Sequence, residues 1–438
     1  MFKTLVNAFK VEQLRKRFIY TFWIVLIVRL GSQLPIPGID VSQIQTFLEE
    51  MLGESFSFFN SFTGGSFLSM SVFALNVTPY ITASIIMQLL TIAIPALEEM
   101  QRDGEDGKKR MNKITRFVSV GLAILESSGL AIGFYRSNVL NEANAFTIFT
   151  IIVSLTAGSC IILWLGDRIS DKGIGNGISI ILLINIVSRM PSDFANLYEM
   201  FVKNKDAVRA VIAVCIILAV VIGTTILVII LQDAERRIPV QYSQKVQGRR
   251  LSGSQASYIP LKVNTAGVIP VIFASSLLSV PSIIVNLFGI QTGTTATKIL
   301  QGLNQRYWFN PEFPWASVGL ILYIFLNVVF AYFYTSITFN PMEVSNNMKK
   351  SGGFIPGIRP GKPTQDYLNK ILNYIVLIGV TGLVIVALIP IFFNGVFKAD
   401  VSFGGTSLII IVGVILETMK QLESQLLVRN YSGFLNDK

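Results

Sequence analysis

The chain has 438 residues, of which 52% are hydrophobic and 14% are charged. This composition leaves too little polar surface to cover a soluble globular protein of this length, and so it excludes the soluble classes. A bilayer core about 30 Å thick needs about 20 mostly apolar residues for each helical span, which gives the chain room for about ten spans. The formal charge of +10 has to be interpreted from where the cations lie.

The N-terminal segment, residues 1–17, is basic and carries apolar residues between its charges. This pattern predicts an amphipathic helix on the cytoplasmic side of a membrane. No small-residue cleavage site follows the first apolar run, so a cleavable signal peptide is not expected.

Apolar runs recur along the rest of the chain, and backbone hydrogen bonding inside lipid requires runs of this length to be helices. With ten of them, both termini lie on the same side of the membrane. The predicted spans are 18–34, 73–97, 114–134, 146–165, 174–187, 208–231, 263–287, 315–339, 367–393 and 407–427.

Lysine and arginine are divided unequally between the two sides of the membrane that ten spans define. The side with both termini carries 27 of these residues, and the opposite side carries 8. Because loops on the cytoplasmic side have an excess of lysine and arginine, both termini are expected in the cytoplasm. The net charge therefore follows membrane topology and does not indicate a nucleic-acid-binding protein.

Two predicted cytoplasmic segments, 232–262 and 340–370, are long and basic. Attraction to anionic lipid is one explanation of their charge. Connections of this length are uncommon unless they are functional or disordered, and Gly-Gly and Pro-Gly pairs in the second segment indicate ordered turns. We interpret both as protruding loops that bind a cytoplasmic partner. Their basic residues include Arg236, Arg237, Arg249, Arg250, Lys349, Lys350, Arg359 and Lys362.

The segment between the first two spans has an unusual composition. Residues 55–70 are Phe-rich and mildly apolar, and the segment is too short and too polar to cross a bilayer. A re-entrant segment that fills a cavity and a loop on the membrane surface explain this pattern equally well.

Residues typical of enzyme chemistry are scarce. The chain has no histidine, which removes the commonest general base and transition-metal ligand. Residues 357–364 (GIRPGKPT) lack the spacing of a phosphate-binding loop, and residues 173–177 (GIGNG) are interpreted as a flexible turn before a short span. Cys160 and Cys215 lie in apolar runs and are expected to be small buried residues. No catalysis, metal, disulfide or cofactor is expected.

Five polar residues stand out within or beside the predicted spans: Arg29, Gln88, Glu126, Asn185 and Asn264. A secondary transporter of a small solute usually needs several carboxylates near the midplane, and only Glu126 lies well inside a span. The transporter remains an alternative that this pattern weakens. Gln88 and Asn264 are explained as well by hydrogen bonds between helices as by gating.

Six strings of sequence resemble the SecY family, the channel subunits of the bacterial Sec translocon, and they occur in the family's order. The resemblance covers essentially the whole chain. It implies a protein-conducting channel in the bacterial cytoplasmic membrane, with an hourglass pore between two inverted halves, 18–190 and 191–427, and a cytoplasmic tail, 428–438. The strings are 73–90 (FALNVTPYITASIIMQLL), 173–181 (GIGNGISII), 260–275 (PLKVNTAGVIPVIFAS), 350–361 (KSGGFIPGIRPG), 404–410 (GGTSLII) and 417–427 (ETMKQLESQLL).

The resemblance also implies roles for individual residues. The pore ring would be Ile81, Ile85, Leu182, Ile186, Ile272 and Ile410, where the family often has isoleucine in place of Leu182. The plug would lie at 60–72 and include Asn60, Phe62, Gly64, Gly65, Phe67 and Ser69. Polar contacts of a lateral gate would be Gln88, Glu126 and Asn264.

The partners implied by the resemblance are those of a translocon. They are the SecE and SecG subunits, the SecA ATPase, the ribosome, signal sequences, nascent and preprotein chains, and anionic lipid, with SecDF and YidC as further membrane partners. The two basic loops would then dock SecA and the ribosome, with Arg359 activating the partner. Unfolded secretory polypeptides would cross the membrane, and membrane segments would leave laterally into it.

Overall fold

The computed structural model describes residues 6, 8–37, 39, 63–136, 140, 144–203, 206–242, 246–247, 250–251, 257–288, 294–309, 314–397 and 406–436. Among these residues, six helices are long and apolar enough to cross a membrane, and a bent pair of helices would be a seventh. The predicted helical, polytopic membrane architecture is confirmed. The number of ten spans and the pore stay predictions.

The α-helices follow the predicted spans closely, with the largest difference in the fifth. There the run 174–187 predicts a short helix, whereas the observed helix continues to Phe201, because helical hydrogen bonding persists into polar residues that hydropathy does not mark. The helices are α1 (Glu12–Gly31), α2 (Thr78–Ala93), α3 (Pro95–Arg102), α4 (Gly104–Arg136), α5 (Ala145–Lys172), α6 (Gly177–Phe201), α7 (Ala207–Asp233), α8 (Ile269–Phe288), α9 (Thr294–Leu303), α10 (Val318–Thr338), α11 (Pro341–Lys350), α12 (Lys362–Phe397) and α13 (Thr406–Asn436).

The second predicted span is divided between α2 and α3. The two helices meet at Ile94 with a bend of 106°. Pro95 occupies the first position of α3, where its missing N–H costs no hydrogen bond and where the preceding residue is driven out of the helical conformation. Pro79 is the second residue of α2, where its missing N–H likewise costs no helical hydrogen bond.

The chain forms two compact units. The first contains Met1–Phe194, Ile283–Gln291 and Val414–Lys438, and the second contains Ala195–Ser282 and Thr292–Gly413. The predicted halves divide at residues 190/191, and their inverted relationship stays a prediction.

In the first unit, the turn-rich segment 63–77 packs against α4 and α5. Its residues Phe67 and Met70 share a buried hydrophobic cluster with Phe134 and Leu155. The segment also pairs with the residues that follow α1, because the Ile36 N–H donates to the Met70 carbonyl oxygen over 3.0 Å. A part of the chain without regular secondary structure is thus fastened by both packing and backbone hydrogen bonds.

The second unit contains a small three-stranded sheet in addition to its helices. Strand β1 (Glu235–Tyr242) pairs with β4 (Ser257–Lys262) on one side and with β5 (Gly353–Phe354) on the other, both antiparallel. A separate short hairpin joins β2 (Val246–Gln247) and β3 (Arg250–Leu251). The two predicted cytoplasmic loops therefore form one body. The sequence pattern does not predict its strands.

One hydrophobic cluster holds that body together. Ile238 and Val240, at alternate positions of β1, turn inward against Met348 of α11 and Leu368 of α12. Alternation places the intervening β1 residues on the solvent side. We call the residues of β1, β4, β5 and α11, the turn 355–361 and the first turns of α12 the loop body.

The two cysteines are both free. Cys215 is exposed on α7, so the expectation that it is buried is wrong. The helix is apolar on most of its surface, and a residue that faces lipid is as compatible with this composition as a residue in the core.

Candidate functional site

The described part of the predicted plug lies in the segment 63–77. Phe67 is only 7% exposed, and the Ser69 hydroxyl donates to the Ser32 carbonyl oxygen at 3.3 Å. Gly64 and Gly65 both have left-handed φ angles, +65° and +86°. Asn60 and Phe62 lie outside the described residues.

Gly64 is the point at which this segment approaches two helices. The Arg29 guanidinium of α1 donates from Nη1 to the Gly64 carbonyl oxygen at 3.3 Å and to Asn185 Oδ1 of α6 at 3.4 Å. A side chain at position 64 would place its Cβ 2.7 Å from Arg29 Nη1 and 2.9 Å from the Asn185 Cα. Only glycine fits here without displacing a neighbour.

Sequence reasoning missed this connection. Arg29 and Asn185 were noticed as polar residues near predicted spans, but no pattern joins residues that are 156 positions apart. One signal was available in the sequence. An arginine in an apolar helix is costly unless its guanidinium has a nearby acceptor, so Arg29 predicts such a partner.

Helix α6 carries two of the predicted ring residues on the same side as the contact to Gly64. Leu182 and Asn185 are three residues apart, and Leu182 and Ile186 are four apart, so all three lie within one helical turn. Ile186 is 2% exposed and Asn185 is fully buried. The helix that presents these aliphatic residues thus also holds the segment 63–77.

The ring residues of α2 are arranged in the same way. Ile81 and Ile85 are one turn apart on α2, and both are half-buried. In the second unit, Ile272 of α8 is half-buried and Ile410 of α13 is 8% exposed. The closure of the six residues into one ring stays a prediction.

The turn before α6 is closely packed, and the interpretation of residues 173–177 as a flexible turn is wrong in this respect. A Cβ on Gly177 would lie 1.9 Å from the Gly166 carbonyl oxygen of α5. The Gly177 N–H donates to Ser170 Oγ at 2.9 Å, and Asn176 Oδ1 accepts from the Ile178 N–H at 3.1 Å. Close helix approach explains the glycine at position 177.

Replacing Gly177 with alanine is expected to destabilise the first unit by about 1–3 kcal/mol, the usual cost of overpacking. The matched control is Gly121→Ala in α4, where nothing lies within 4 Å of the added Cβ. Thermal unfolding of the two purified variants checks this. An unfolding temperature for Gly177→Ala equal to that of the control would contradict the packing described.

The predicted lateral-gate residues are distributed over both units. Gln88 of α2 and Glu126 of α4 are half-buried. Asn264, in the turn before α8, is 9% exposed, and its Nδ2 has no hydrogen-bond partner among the described residues. It lines a cavity of about 10 Å³ together with Thr335 of α10, which is enough for one water molecule at most. Their role in a gate stays a prediction.

The basic residues of the loop body are exposed. Arg236 and Arg237 of β1 are both exposed, and Lys349 and Lys350 end α11. Arg237 Nε donates to Glu235 Oε1 at 2.7 Å, and this hydrogen bond raises the pKa of Arg237, which keeps its charge. The predicted Arg249 and the side chain of Arg250 lie outside the described part of the chain.

Arg359 is presented by a turn that is fastened at several points. Gly357 and Gly361 on either side have left-handed φ angles of +81° and +102°. The Thr364 hydroxyl donates to the Arg359 carbonyl oxygen at 2.9 Å, and the Ser345 hydroxyl donates to the Gly361 carbonyl oxygen at 2.8 Å. The exposed Arg359 side chain therefore projects from a fixed backbone.

Comparison with known proteins decides the family. The sequence profile of the SecY family matches residues 71–419, most of the chain. The chain belongs to the SecY family. It is 43% identical to a protein translocase subunit SecY of Streptomyces scabiei over 99% of this chain and 100% of that protein, and 38% identical to one of Mycobacterium tuberculosis over 99% and 100%.

Solved structures support the fold of this SecY-family chain. One described as a protein-conducting channel has a TM-score of 0.63 at 18% identity, covering 94% of this chain and 92% of that one. Sec61 in a canine ribosome–channel complex gives a TM-score of 0.61 with the same identity and coverage.

Family membership confirms the resemblance predicted from the six strings, and it gives no support to a small-solute transporter. The individual SecY-type roles of the ring, plug, gate and loop residues stay predictions. Among the described residues, no group of histidine, cysteine, aspartate and glutamate side chains could hold a metal ion.

Proposed function

We propose that this SecY-family protein is a protein-conducting channel of the bacterial cytoplasmic membrane. It moves unfolded secretory polypeptides across the membrane and releases membrane segments laterally into it. The observation that carries the proposal is the 43% identity to a protein translocase subunit over 99% of the chain. The chain itself performs no catalysis, and the energy comes from SecA, from translation or from the proton-motive force.

The physical basis of sealing is an aliphatic constriction. Branched aliphatic side chains offer a permeating ion no ligands, and a narrow collar of them excludes water. Aliphatic contacts are non-directional, so the same collar can admit an extended chain of any sequence. We assign this role to Ile81, Ile85, Leu182, Ile186, Ile272 and Ile410, and the role of plug to the segment at 60–72. Gln88, Glu126 and Asn264 are assigned to the lateral exit.

The loop body is the proposed docking surface for SecA and the ribosome. Its exposed cations suit the negative charge of ribosomal RNA, and its common hydrophobic cluster gives a partner one surface instead of two separate loops. SecE and SecG are the proposed membrane subunits, with anionic lipid, SecDF and YidC as further partners. The excess of lysine and arginine on the side of both termini supports a cytoplasmic position for both.

Reconstitution tests the function directly. The purified chain with SecE and SecG is placed in liposomes with SecA, ATP and an unfolded preprotein, and protease-protected substrate is measured. Protection that requires both SecA and ATP is expected. A folded sample that binds SecA but protects nothing would overturn the proposed export role.

Changing the ring to small polar residues is expected to make the resting channel leak ions. Ile81→Ser with Ile272→Ser removes aliphatic surface and supplies hydroxyl ligands to water, and the single-channel conductance of the closed state should rise several-fold. Ile124→Ser with Ile229→Ser is the matched control, because both residues are exposed on their helices. An equally tight closed channel in the ring variant would remove these two residues from the constriction.

A further inference from the structure

Two arginines of the first unit approach consecutive glycines of the segment 63–77. Arg29 Nη1 hydrogen-bonds the Gly64 carbonyl oxygen at 3.3 Å. A Cβ built on Gly65 would lie 3.6 Å from Arg189 Nη1 of α6. Asn185, one turn before Arg189, accepts the second hydrogen bond of Arg29. We call Arg29, Asn185 and Arg189 the arginine cluster.

The arginine cluster contains buried donors that remain unused. Asn185 Nδ2 and Arg189 Nε are both buried, and neither has a hydrogen-bond partner in the part of the chain that the structure describes. The Asn185 side chain as a whole is 0% exposed. Buried donors without acceptors are costly and rare in native proteins, so these two atoms call for an acceptor.

In the part of the chain that the structure describes, no ion pair compensates the positive charge of the cluster. Among the described residues, no ion pair joins Arg29 or Arg189 to a carboxylate. The nearest carboxylate along α6 is Asp193, four residues beyond Arg189, which is buried and has an interaction of its own. A water molecule would satisfy the donors and leave the charge uncompensated, whereas an anion would do both.

We propose that the arginine cluster binds one small monovalent inorganic anion, with chloride as its ligand. Arg189 Nε and Asn185 Nδ2 donate to the anion, and the charge of Arg29 adds to its attraction. Within the described cluster two buried donors lack a partner, fewer than the oxygens of phosphate or sulfate would accept, which favours a monatomic anion. The bound anion fastens the segment 63–77 to α1 and α6. Its effect on channel closure rests on the proposed function, but the binding does not.

Thermal unfolding in lipid nanodiscs tests the binding, with the full chain in complex with SecE and SecG. Sodium chloride replaces sodium gluconate at constant ionic strength. Ligand linkage predicts a rise in unfolding temperature of about 1.5 °C for each tenfold increase in chloride above half-saturation. Bromide should act like chloride, and sulfate should have no effect. The assay measures no translocation, so its result is independent of the channel function.

Two variants locate the site. Asn185→Asp places a fixed carboxylate beside Arg29 and should give a high unfolding temperature that no longer depends on chloride. Arg189→Gln should lower the unfolding temperature in chloride and also abolish the dependence. Lys203→Gln, an exposed cation beyond the end of α6, should keep the full response.

Several results would overturn the proposal. One is a chloride response that persists in both Asn185→Asp and Arg189→Gln. Another is a wild type without any response in which Asp193→Asn creates one, because the carboxylate would then be the native partner. A wild type that shows no chloride response overturns it as well, whether or not neutralising Glu49, Glu50 and Glu54, which precede the segment in sequence, creates one.

Discussion

Arg359→Glu is expected to abolish SecA-driven export while the protein remains folded and inserted. Arg359 projects from a turn whose backbone carbonyl oxygens accept hydrogen bonds from the Ser345 and Thr364 hydroxyls. The substitution therefore alters surface charge without loosening the backbone. Reversing a charge within an interface typically costs about 2 kcal/mol or more, which is at least about a thirtyfold loss of affinity. The measurement is SecA-dependent protease protection of a preprotein, together with SecA affinity.

Two further variants make this result specific. Lys362→Glu changes an exposed cation three residues away and should reduce export only slightly. Arg359→Lys keeps the charge but not the planar guanidinium, and partial activity would show that geometry matters as well as charge. Export at the wild-type rate by Arg359→Glu would remove Arg359 from the docking surface.

Gly64→Val is expected to release the segment 63–77 and leave the channel partly open at rest. Valine at a φ of +65° is strained, since a left-handed conformation costs non-glycine residues about 1–2 kcal/mol. Its Cβ also lies within 3.0 Å of Arg29 and of the Asn185 backbone, so the docked position becomes inaccessible. Ion conductance in the absence of substrate should rise several-fold, and preproteins with defective signal sequences should be exported.

The variant Gly65→Val distinguishes the effect of backbone strain from the effect of steric contact with α1 and α6. Its φ of +86° imposes a similar penalty, but the nearest atom to its Cβ, Arg189 Nη1, is 3.6 Å away and belongs to a flexible side chain. We therefore expect a smaller leak than from Gly64→Val. Equal leaks from the two variants would mean that strain alone releases the segment and that the contact with α1 and α6 contributes little.

Much of the architecture could be predicted from the sequence because lipid imposes simple rules. Runs of about 20 apolar residues have to be helices, and the helices α4, α5 and α7 lie where those runs predict them. The ends of helices are less predictable. Helix α6 continues through Pro191 to Phe201. Its last turns contain polar residues that hydropathy does not mark, although the backbone there keeps its helical hydrogen bonds.

The loop body was harder to predict for a different reason. Strand β1 carries two arginines and a proline, and it pairs with β5 more than a hundred residues later in the chain. Alternation of Ile238 and Val240 was the only local signal, and it is too brief to distinguish a strand from a loop. The sequence therefore indicated two basic loops but not their union.

The packing between Gly64 and its neighbours was also beyond sequence reasoning. Glycine at a left-handed position has a recognisable purpose in a turn, yet the identity of the side chain that excludes a Cβ depends on tertiary structure. Family resemblance predicts the role of plug for this segment, and the structure adds the hydrogen bonds of Arg29 to Gly64 and Asn185.

The first turns of α12 lie within the loop body, while its later turns form an apolar helix, and both Leu368 and Ile375 contribute to one cluster. Ala234 alone separates the end of α7 from the start of β1. Its carbonyl oxygen accepts a hydrogen bond from the Val263 N–H at 2.9 Å. A force applied to the loop body by a bound partner would therefore be transmitted to α7 and α12 together.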